Sequence, residues 1–179
     1  MLITEEYREL NKQLHKDDKT FGISSVKYTD SILDMCNSIN DQDVLDYGCG
    51  KAELSRLLPF KIQNYDPCIE KYSSRPQPAN VVVCIDVLEH IEPECLDDVL
   101  EDIQNLTKKA IFLTVATQLA RKELPDGRNA HLIVQDYTKW LPKLWEHFTL
   151  VNYSKGQFGF IFVGEPKCVT THNLLREPK

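Results

Sequence analysis

Two aspartates and two glycines in this chain have types and a spacing that suit ligand binding. Asp46, Gly48 and Gly50 alternate with other residues directly after a short apolar segment. Glycine has no Cβ, so the backbone at Gly48 and Gly50 can turn sharply and approach a ligand closely. Asp66 follows twenty residues after Asp46, where a carboxylate can accept hydrogen bonds from both hydroxyls of a ribose. The pattern predicts a site for an adenosine-containing ligand.

The position of Asp46 helps to distinguish two classes of adenosine ligand. Two residues before the first glycine, its carboxylate can reach a cationic amine directly or through water. A carboxylate at that point would serve the pyrophosphate of a dinucleotide poorly, so the site favours S-adenosylmethionine. The simpler interpretation is a tight turn at the glycines, with Asp66 capping the next helix.

A polar loop at residues 124–132 supplies candidates for the reacting end of a site. His131 can accept or donate a proton near neutral pH, and we take it as a candidate catalytic residue. Arg128 can bind an anionic group such as a carboxylate or phosphate, and Asn129 is a second candidate substrate-binding residue. Alternatively, the loop is a hairpin-like turn in which Asn129 caps a helix and Arg128 is solvated.

Two further candidates each have a structural explanation as well as a functional one. His90 lies in a Leu-Glu-His-Ile segment shortly after the apolar run 81–85, and it can act on a substrate or make only a structural hydrogen bond. Phe21 precedes the predicted sheet and can cover the ligand as part of a lid that excludes water. It can instead pack against the outer face of the sheet.

Strands and helices alternate along most of the chain, which predicts an α/β fold with an open, doubly wound, mostly parallel sheet. We divide the chain into an N-terminal helical lid (1–40), a binding domain (41–166) and a loosely ordered tail (167–179). The expected strands are 44–47, 61–65, 81–85 and 110–115, followed by a C-terminal antiparallel hairpin of 148–153 and 158–163. The expected helices are about 5–14, one around 32–36, 52–58, 93–106 and 136–145.

Composition narrows the class of protein. The chain has 179 residues, which suits a single domain, and its net charge of −6 argues against tight non-specific binding to nucleic acid. It shows neither a secretory signal nor an apolar run of about 20 residues, so we expect a soluble cytoplasmic protein without a membrane partner. Six scattered cysteines without a CxxC pair predict free thiols, several of them buried, and no metal site.

Three stretches together resemble the class I S-adenosylmethionine-dependent methyltransferases, which have a Rossmann-like fold. They are residues 44–51, 64–67 and 84–93, and the resemblance extends over about 43–163, with the hairpin matching the family's reversed final strand. The family usually has a further strand and helix between the ribose-binding acid and the next strand. Only residues 67–80 are available there, so we expect a reduced sheet that lacks one strand.

The resemblance implies S-adenosylmethionine as the cofactor and assigns residues to its parts. Asp46, Gly48 and Gly50 would hold the methionine part, and Asp66 the ribose. Asp86 and Val87, at the end of the following strand, would lie near the adenine, the methionine part or the acceptor.

The predicted function is therefore one-step methyl transfer from S-adenosylmethionine to a small or modestly sized acceptor. The chain is acidic and lacks an insertion for gripping a macromolecule. One alternative is methylation of a nucleic-acid base, nucleotide or modified sugar, although the Asn/Asp-Pro-Pro-Tyr/Phe motif and a Pro-Cys nucleophile motif are absent. A second alternative, from a different class, is a cofactor-binding protein that does no chemistry.

Overall fold

Six strands form one sheet in the computed structural model, which describes residues 1–168. They are β1 (Val44–Tyr47), β2 (Gln63–Tyr65), β3 (Ala79–Ile85), β4 (Thr107–Ala116), β5 (Phe148–Lys155) and β6 (Gly159–Pro166). Their order across the sheet is β2-β1-β3-β4-β6-β5. The first four are parallel, whereas β6 runs antiparallel to both β4 and β5. The predicted Rossmann-like sheet with a reversed C-terminal hairpin is confirmed.

The reduced sheet predicted from the short segment after Asp66 is also confirmed. Strand β2 lies at one edge of the sheet, and residues 66–78, all of which the structure describes, contain one short 3-10 helix and no strand. Gln63 and Gln77 hold this segment against β2, because the amide of Gln77 donates to Oε1 of Gln63 at 3.1 Å. The edge strand is therefore partly covered.

Helices cover both faces of the sheet. They are α1 (Glu5–Asp17), α2 (Thr29–Ser38), α3 (Leu54–Leu57), α4 (Leu96–Leu106) and α5 (Tyr137–His147). Single 3-10 turns or short 3-10 helices occur at Ser24–Tyr28, Glu70–Tyr72, Leu88–His90 and Pro93–Cys95. One core cluster contains residues of α4 and α5, and a second contains residues of α2 and α3. Strand β3 supplies Val82 and Cys84 to the first and Val81 and Val83 to the second. Burial on both faces explains the uninterrupted apolar run 81–85 in this strand.

Three elements are shorter than the sequence predicted, one of them the helix expected over 93–106, which is a 3-10 turn at Pro93–Cys95 and becomes α-helical only at Leu96. The helix expected over 52–58 is α3, which begins at Leu54, because Ala52 has a φ of 56°, in the left-handed region that helices exclude. The strand expected over 61–65 begins at Gln63. The predicted burial of several cysteines is confirmed, since Cys36, Cys49, Cys68, Cys84 and Cys95 are buried.

Helix α1 packs over the carboxyl ends of the strands rather than on a face of the sheet. Tyr7 and Leu14 form a small apolar cluster with Leu124 and Ala130 of the polar loop. The backbone amide and hydroxyl of Thr4, which caps α1, donate to the two carboxyl oxygens of Glu92 at 2.9 and 2.6 Å. These contacts place the N-terminal segment above the candidate site residues.

Among residues 1–168, no helix combines the length and the apolar character that are needed to cross a bilayer. The predicted tail, 167–179, lies almost entirely outside the described residues.

Asp102, a buried residue of α4, connects this helix to β1 and to the segment that follows β2. Asp102 accepts hydrogen bonds from the Tyr47 hydroxyl at 2.9 Å and from the Arg75 guanidinium. Asp102→Ala leaves the buried Tyr47 hydroxyl without its acceptor, so we expect the free energy of unfolding to fall by about 1–3 kcal/mol. Urea denaturation measures this. Asp97→Ala, which removes an exposed carboxylate from the same helix, should change stability by less than about 1 kcal/mol, and an equal loss in both variants would contradict the assignment.

Candidate functional site

The three parallel strands β1, β2 and β3 end at one rim of the sheet and bring their acidic residues there. Asp46 is the third residue of β1, Asp66 follows β2 directly, and Asp86 follows β3. The register aligns Asp46 with Asn64 of β2 and Val83 of β3, so the strand ends are level. The parallel sheet thus explains why residues twenty positions apart in the chain lie together.

The carboxyl of Asp46 is almost fully buried and incompletely bonded. Its relative exposure is 2%, and its Oδ2 has no hydrogen-bond partner among the described residues. Burial, with the nearby Asp66 carboxyl, raises the pKa of Asp46 to about 7. An unpartnered buried carboxyl oxygen is costly, and a cationic or hydrogen-bonding ligand would relieve that cost.

The turn after β1 is fixed by hydrogen bonds to the end of β2. The amides of Gly48 and Cys49 both donate to the carbonyl of Tyr65, at 2.7 and 3.0 Å. Gly48 has a φ of 74°, and a Cβ there would overlap the side chain of Val87. Glycine is therefore required at this position by both conformation and space.

Gly50, the second glycine of the turn, contacts both Asp66 and the N-terminal segment. The amide of Gly50 donates to Oδ2 of Asp66 at 3.0 Å. A Cβ on Gly50 would lie 2.7 Å from the Cα of Gly22, so the two backbones are in close contact. The amide of Lys51 donates to the Gly22 carbonyl at 3.1 Å, and its ammonium donates to the carbonyls of Asp18 and Phe21 at 2.5 and 3.0 Å.

His15 is a site residue that the sequence analysis did not identify. Its Nε2 lies 4.0 Å from Oδ2 of Asp66, and its Nδ1 is buried without a partner among the described residues. Burial lowers the pKa of His15, although Asp66 opposes this effect, and burial raises the pKa of Asp66. The available signal was the spacing of Tyr7, Asn11 and His15, which places all three on one face of α1.

Aromatic rings connect the N-terminal segment to both candidate catalytic histidines. The ring centroid of Phe21 lies 4.6 Å from that of His15 and 5.4 Å from that of His90. The His90 and His131 rings are in turn 4.7 Å apart. The sequence placed these residues on separate segments, and the fold brings their side chains into one row.

The two histidines carry their protons on the same ring atom. Nδ1 of His90 lies 2.7 Å from the carbonyl of Ala130, and Nδ1 of His131 lies 2.5 Å from the carbonyl of Gln118. A carbonyl can only accept, so each Nδ1 donates and Nε2 of each neutral ring keeps a lone pair. Burial, with the adjacent His131, lowers the pKa of His90 to about 3, so His90 is neutral at physiological pH.

Asp86 is held in a strained backbone conformation at the end of β3. Its φ is 50°, its amide lies 3.0 Å from Oγ1 of Thr114, and that hydroxyl donates back to its Oδ1 at 2.6 Å. A non-glycine residue with positive φ is uncommon and costs conformational energy. The conformation turns the chain toward the Leu88–His90 turn that carries His90.

Glu89 is a second residue that the sequence analysis did not assign. It is completely buried, its Oε1 accepts from the Ala116 amide at 2.8 Å, and its Oε2 has no partner within residues 1–168. Its backbone carbonyl accepts from the Ile133 amide at 3.0 Å. Burial, and then the Asp86 carboxylate, raises the pKa of Glu89 well above its usual range.

All but two of the predicted site residues line a single cavity of about 870 Å³. They are Phe21, Asp46, Gly48, Gly50, Asp66, Asp86, Val87, His90 and His131. The volume lies in the range typical of small-molecule sites.

Arg128 and Asn129 are not among the residues that line this cavity. Asn129 uses its carboxamide within the loop, accepting from the Ala120 amide at 2.9 Å and the His131 amide at 3.0 Å. Arg128 donates through Nε to Asp126 at 2.7 Å and is largely exposed. The loop is thus hairpin-like, as the alternative interpretation expected, but Asn129 does not cap a helix: Asp136 caps α5, and Asn129 shapes the segment that presents His131.

Comparison with known proteins adds to this geometry. A family described as a methyltransferase domain matches residues 10–155, whereas the search of curated proteins finds no match. The fold is similar to that of 1,6-didemethyltoxoflavin-N1-methyltransferase from Burkholderia thailandensis, crystallised with bound 1,6-didemethyltoxoflavin and S-adenosylhomocysteine. The identity is 13% and the TM-score 0.67, over 94% of this chain and 92% of that one.

Two other solved methyltransferases have a similar fold. Magnesium protoporphyrin IX methyltransferase from Synechocystis PCC 6803 gives 14% identity and a TM-score of 0.58, over 81% of this chain and 84% of that one. N-methyltransferase NodS from Bradyrhizobium japonicum WM9 gives 11% identity and a TM-score of 0.56, over 79% and 96% respectively. Since the family match covers well over half of the chain, this protein belongs to the methyltransferase-domain family, whose methyl donor is S-adenosylmethionine.

Proposed function

We propose that the chain transfers the methyl group of S-adenosylmethionine, in one step, to a small or modestly sized acceptor bound in the cavity at the strand ends. The observation that carries this proposal is the buried, unpartnered Oδ2 of Asp46 beside a turn where both glycines are sterically required. Such a site fits the cationic amine of the cofactor. The sulfonium, when bound, supplies an electrophilic methyl group and leaves as a neutral thioether.

We infer the roles of the cofactor-binding residues, and their positions support the assignment. Asp46, Gly48 and Gly50 hold the methionine part, and Asp66 accepts from the ribose hydroxyls. Asp66 already has its carboxyl oriented by two backbone amides, those of Gly50 and Cys68, at 3.0 and 2.9 Å. Asp86 and Val87 line the wall beside the cofactor.

His131 and His90 are the proposed catalytic residues on the acceptor side. Both line the cavity and keep a lone pair on Nε2, which can contact the reacting group or accept its proton. With a pKa of about 3, His90 is a weak proton acceptor. The hydrogen bonds of Asn129 hold the loop that presents His131, which makes Asn129 a positioning residue rather than a substrate ligand.

The size of the acceptor is limited by the N-terminal segment. Helix α1 and Phe21 lie over the strand ends, and Lys51 fastens this segment to the glycine turn. We propose that residues 1–40 act as the cover of the site. A cavity of about 870 Å³ that must also hold the cofactor leaves room for a compact acceptor. The names of the similar enzymes support this direction, because two of them name the small molecules 1,6-didemethyltoxoflavin and magnesium protoporphyrin IX.

A labelling experiment tests the acceptor class. The protein is incubated with methyl-labelled S-adenosylmethionine and a cell extract, which is then separated into dialysable and macromolecular fractions. We expect protein-dependent label in the dialysable fraction and its loss with Asp66→Ala. Label in RNA or DNA would establish the nucleic-acid alternative instead. Binding of the cofactor without any transfer would establish the non-catalytic alternative.

The pKa of Asp46 predicts a proton-linked affinity for the cofactor product. In the free protein this carboxyl titrates at about pH 7, and the cationic amine of S-adenosylhomocysteine favours its ionised form. Below pH 7 binding must therefore release a proton, and the affinity should fall by up to about tenfold per pH unit. Above pH 7 this dependence should disappear. Calorimetry in buffers of different ionisation enthalpy counts the protons, and Asp46→Asn should abolish the release; a release unchanged in that variant would refute the assignment.

Cofactor binding and turnover should respond to different substitutions. Asp66→Ala removes the acceptor for two ribose hydroxyls and should weaken S-adenosylhomocysteine binding by about 10–100-fold. His131→Ala should leave this affinity within about twofold while slowing methyl transfer by about 10²–10⁴-fold. Glu70→Ala, an exposed carboxylate near Asp66, is the matched control and should change neither quantity. Full activity of His131→Ala would remove His131 from the mechanism.

A further inference from the structure

Two histidines and a glutamate form a cluster of possible metal ligands at one side of the cavity. Glu89, His90 and His131 each offer a ligand atom, and these atoms all lie within 4.8 Å of one another. Around one ion with ligand distances of about 2.0–2.2 Å, ligand atoms are about 3–3.5 Å apart. A shift of about 1 Å would bring the three side chains to that spacing.

The hydrogen bonds of the cluster leave one ring nitrogen of each histidine free to bind a metal ion. Both histidines donate Nδ1–H to backbone carbonyls, so their Nε2 lone pairs remain available. Histidines that bind metals characteristically donate the other ring nitrogen in this way, which fixes the tautomer and the ring orientation. The Glu89 carboxyl is likewise oriented, because its Oε1 accepts a hydrogen bond from the Ala116 amide.

The unpartnered Oε2 of Glu89 is an independent observation that points to a ligand. Glu89 is 0% exposed, and burying a carboxyl oxygen without a hydrogen bond or a cation is costly. A divalent ion between Glu89 and the two imidazoles would remove that cost. Two nitrogen donors and one oxygen donor favour Zn²⁺ and neighbouring transition metals over Mg²⁺ or Ca²⁺.

We propose that Glu89, His90 and His131 bind one divalent transition-metal ion, which holds the acceptor through a hydroxyl and an adjacent oxygen or nitrogen donor. Three protein ligands leave coordination positions open, as in catalytic rather than structural sites. His90 and His131 line the cavity, whereas Glu89 does not, so the open positions face the acceptor. The inference rests on the proposed methyltransferase function and names its acceptor class.

The metal changes the way in which the acceptor is activated. Because the Nε2 lone pairs of the histidines bind the ion, they cannot take the hydroxyl proton of the acceptor, which passes instead to water in the cavity. The ion favours this transfer because it lowers the pKa of that hydroxyl. The acceptor oxygen then forms a bond to the methyl carbon as the carbon–sulfur bond breaks, and the electron pair of that bond stays on sulfur.

The test measures metal binding separately from methyl transfer. The full chain is treated with a chelator, dialysed, and titrated with Co²⁺, whose visible absorption reports the ligand geometry, and with Zn²⁺ by calorimetry. We expect one equivalent to bind. Glu89→Gln, which keeps the Oε1 acceptor for Ala116, and His131→Ala, in the loop, should each weaken binding at least about 100-fold. His147→Ala, a histidine outside the cavity lining, is the control and should bind metal normally.

Binding of S-adenosylhomocysteine in the same samples separates the two proposals. We expect chelator-treated protein and His131→Ala to bind it normally, and methyl transfer to return only when metal is restored. If S-adenosylhomocysteine binds but Co²⁺ does not, or if Co²⁺ binds equally to wild type and His131→Ala, the metal proposal is overturned and the methyltransferase proposal is unaffected. If S-adenosylhomocysteine itself does not bind, the proposed function fails instead. Because His131 is partly exposed, its variant tests the site even where Glu89→Gln does not fold.

Discussion

The contact between the backbones of Gly22 and Gly50 is the constraint on which the arrangement of the site depends. A Cβ on Gly22 would lie 3.0 Å from the Cα of Gly50, so neither position has space for a side chain without displacement. Gly50 also donates to Asp66, and the following residue, Lys51, bonds the carbonyls of the N-terminal segment. The proposed cofactor-binding turn and the N-terminal segment above it are therefore one packed unit.

Buried carboxyls give this unit its electrostatic character. Asp46, Asp66 and Glu89 all lie at the carboxyl ends of the strands or just beyond them, and burial raises the pKa of each. A carboxyl whose pKa is higher in the folded than in the unfolded chain stabilises the fold less as pH rises from the unfolded value to the folded one. The free protein thus stores an electrostatic cost that a cationic ligand can relieve, and this favours cations over phosphates at the rim.

The sequence was sufficient for features that depend on local pattern, and insufficient for those that depend on tertiary contact. The apolar run 81–85 of β3 and the short segment after Asp66 correctly predicted a mostly parallel sheet that lacks one strand of the usual fold. His15 and Glu89 could not be assigned, because the first acts through the packing of α1 over Asp66 and the second through burial behind β4. The roles first given to Arg128 and Asn129 depended on the turn geometry of their loop, which uses the Asn129 carboxamide internally.

The N-terminal segment also contacts the part of the cavity wall that carries His90 and His131. The Tyr7 hydroxyl of α1 donates to the carbonyl of His90, and Thr4 at the start of α1 binds Glu92, two residues further along. Phe21 packs edge-on against the His90 ring, which contacts His131 in turn. Displacing α1 to admit an acceptor would therefore release His90 and disturb its contact with His131. Under the roles proposed for these residues, the acceptor side of the cavity would be complete, and water excluded from it, only with α1 in the position seen here.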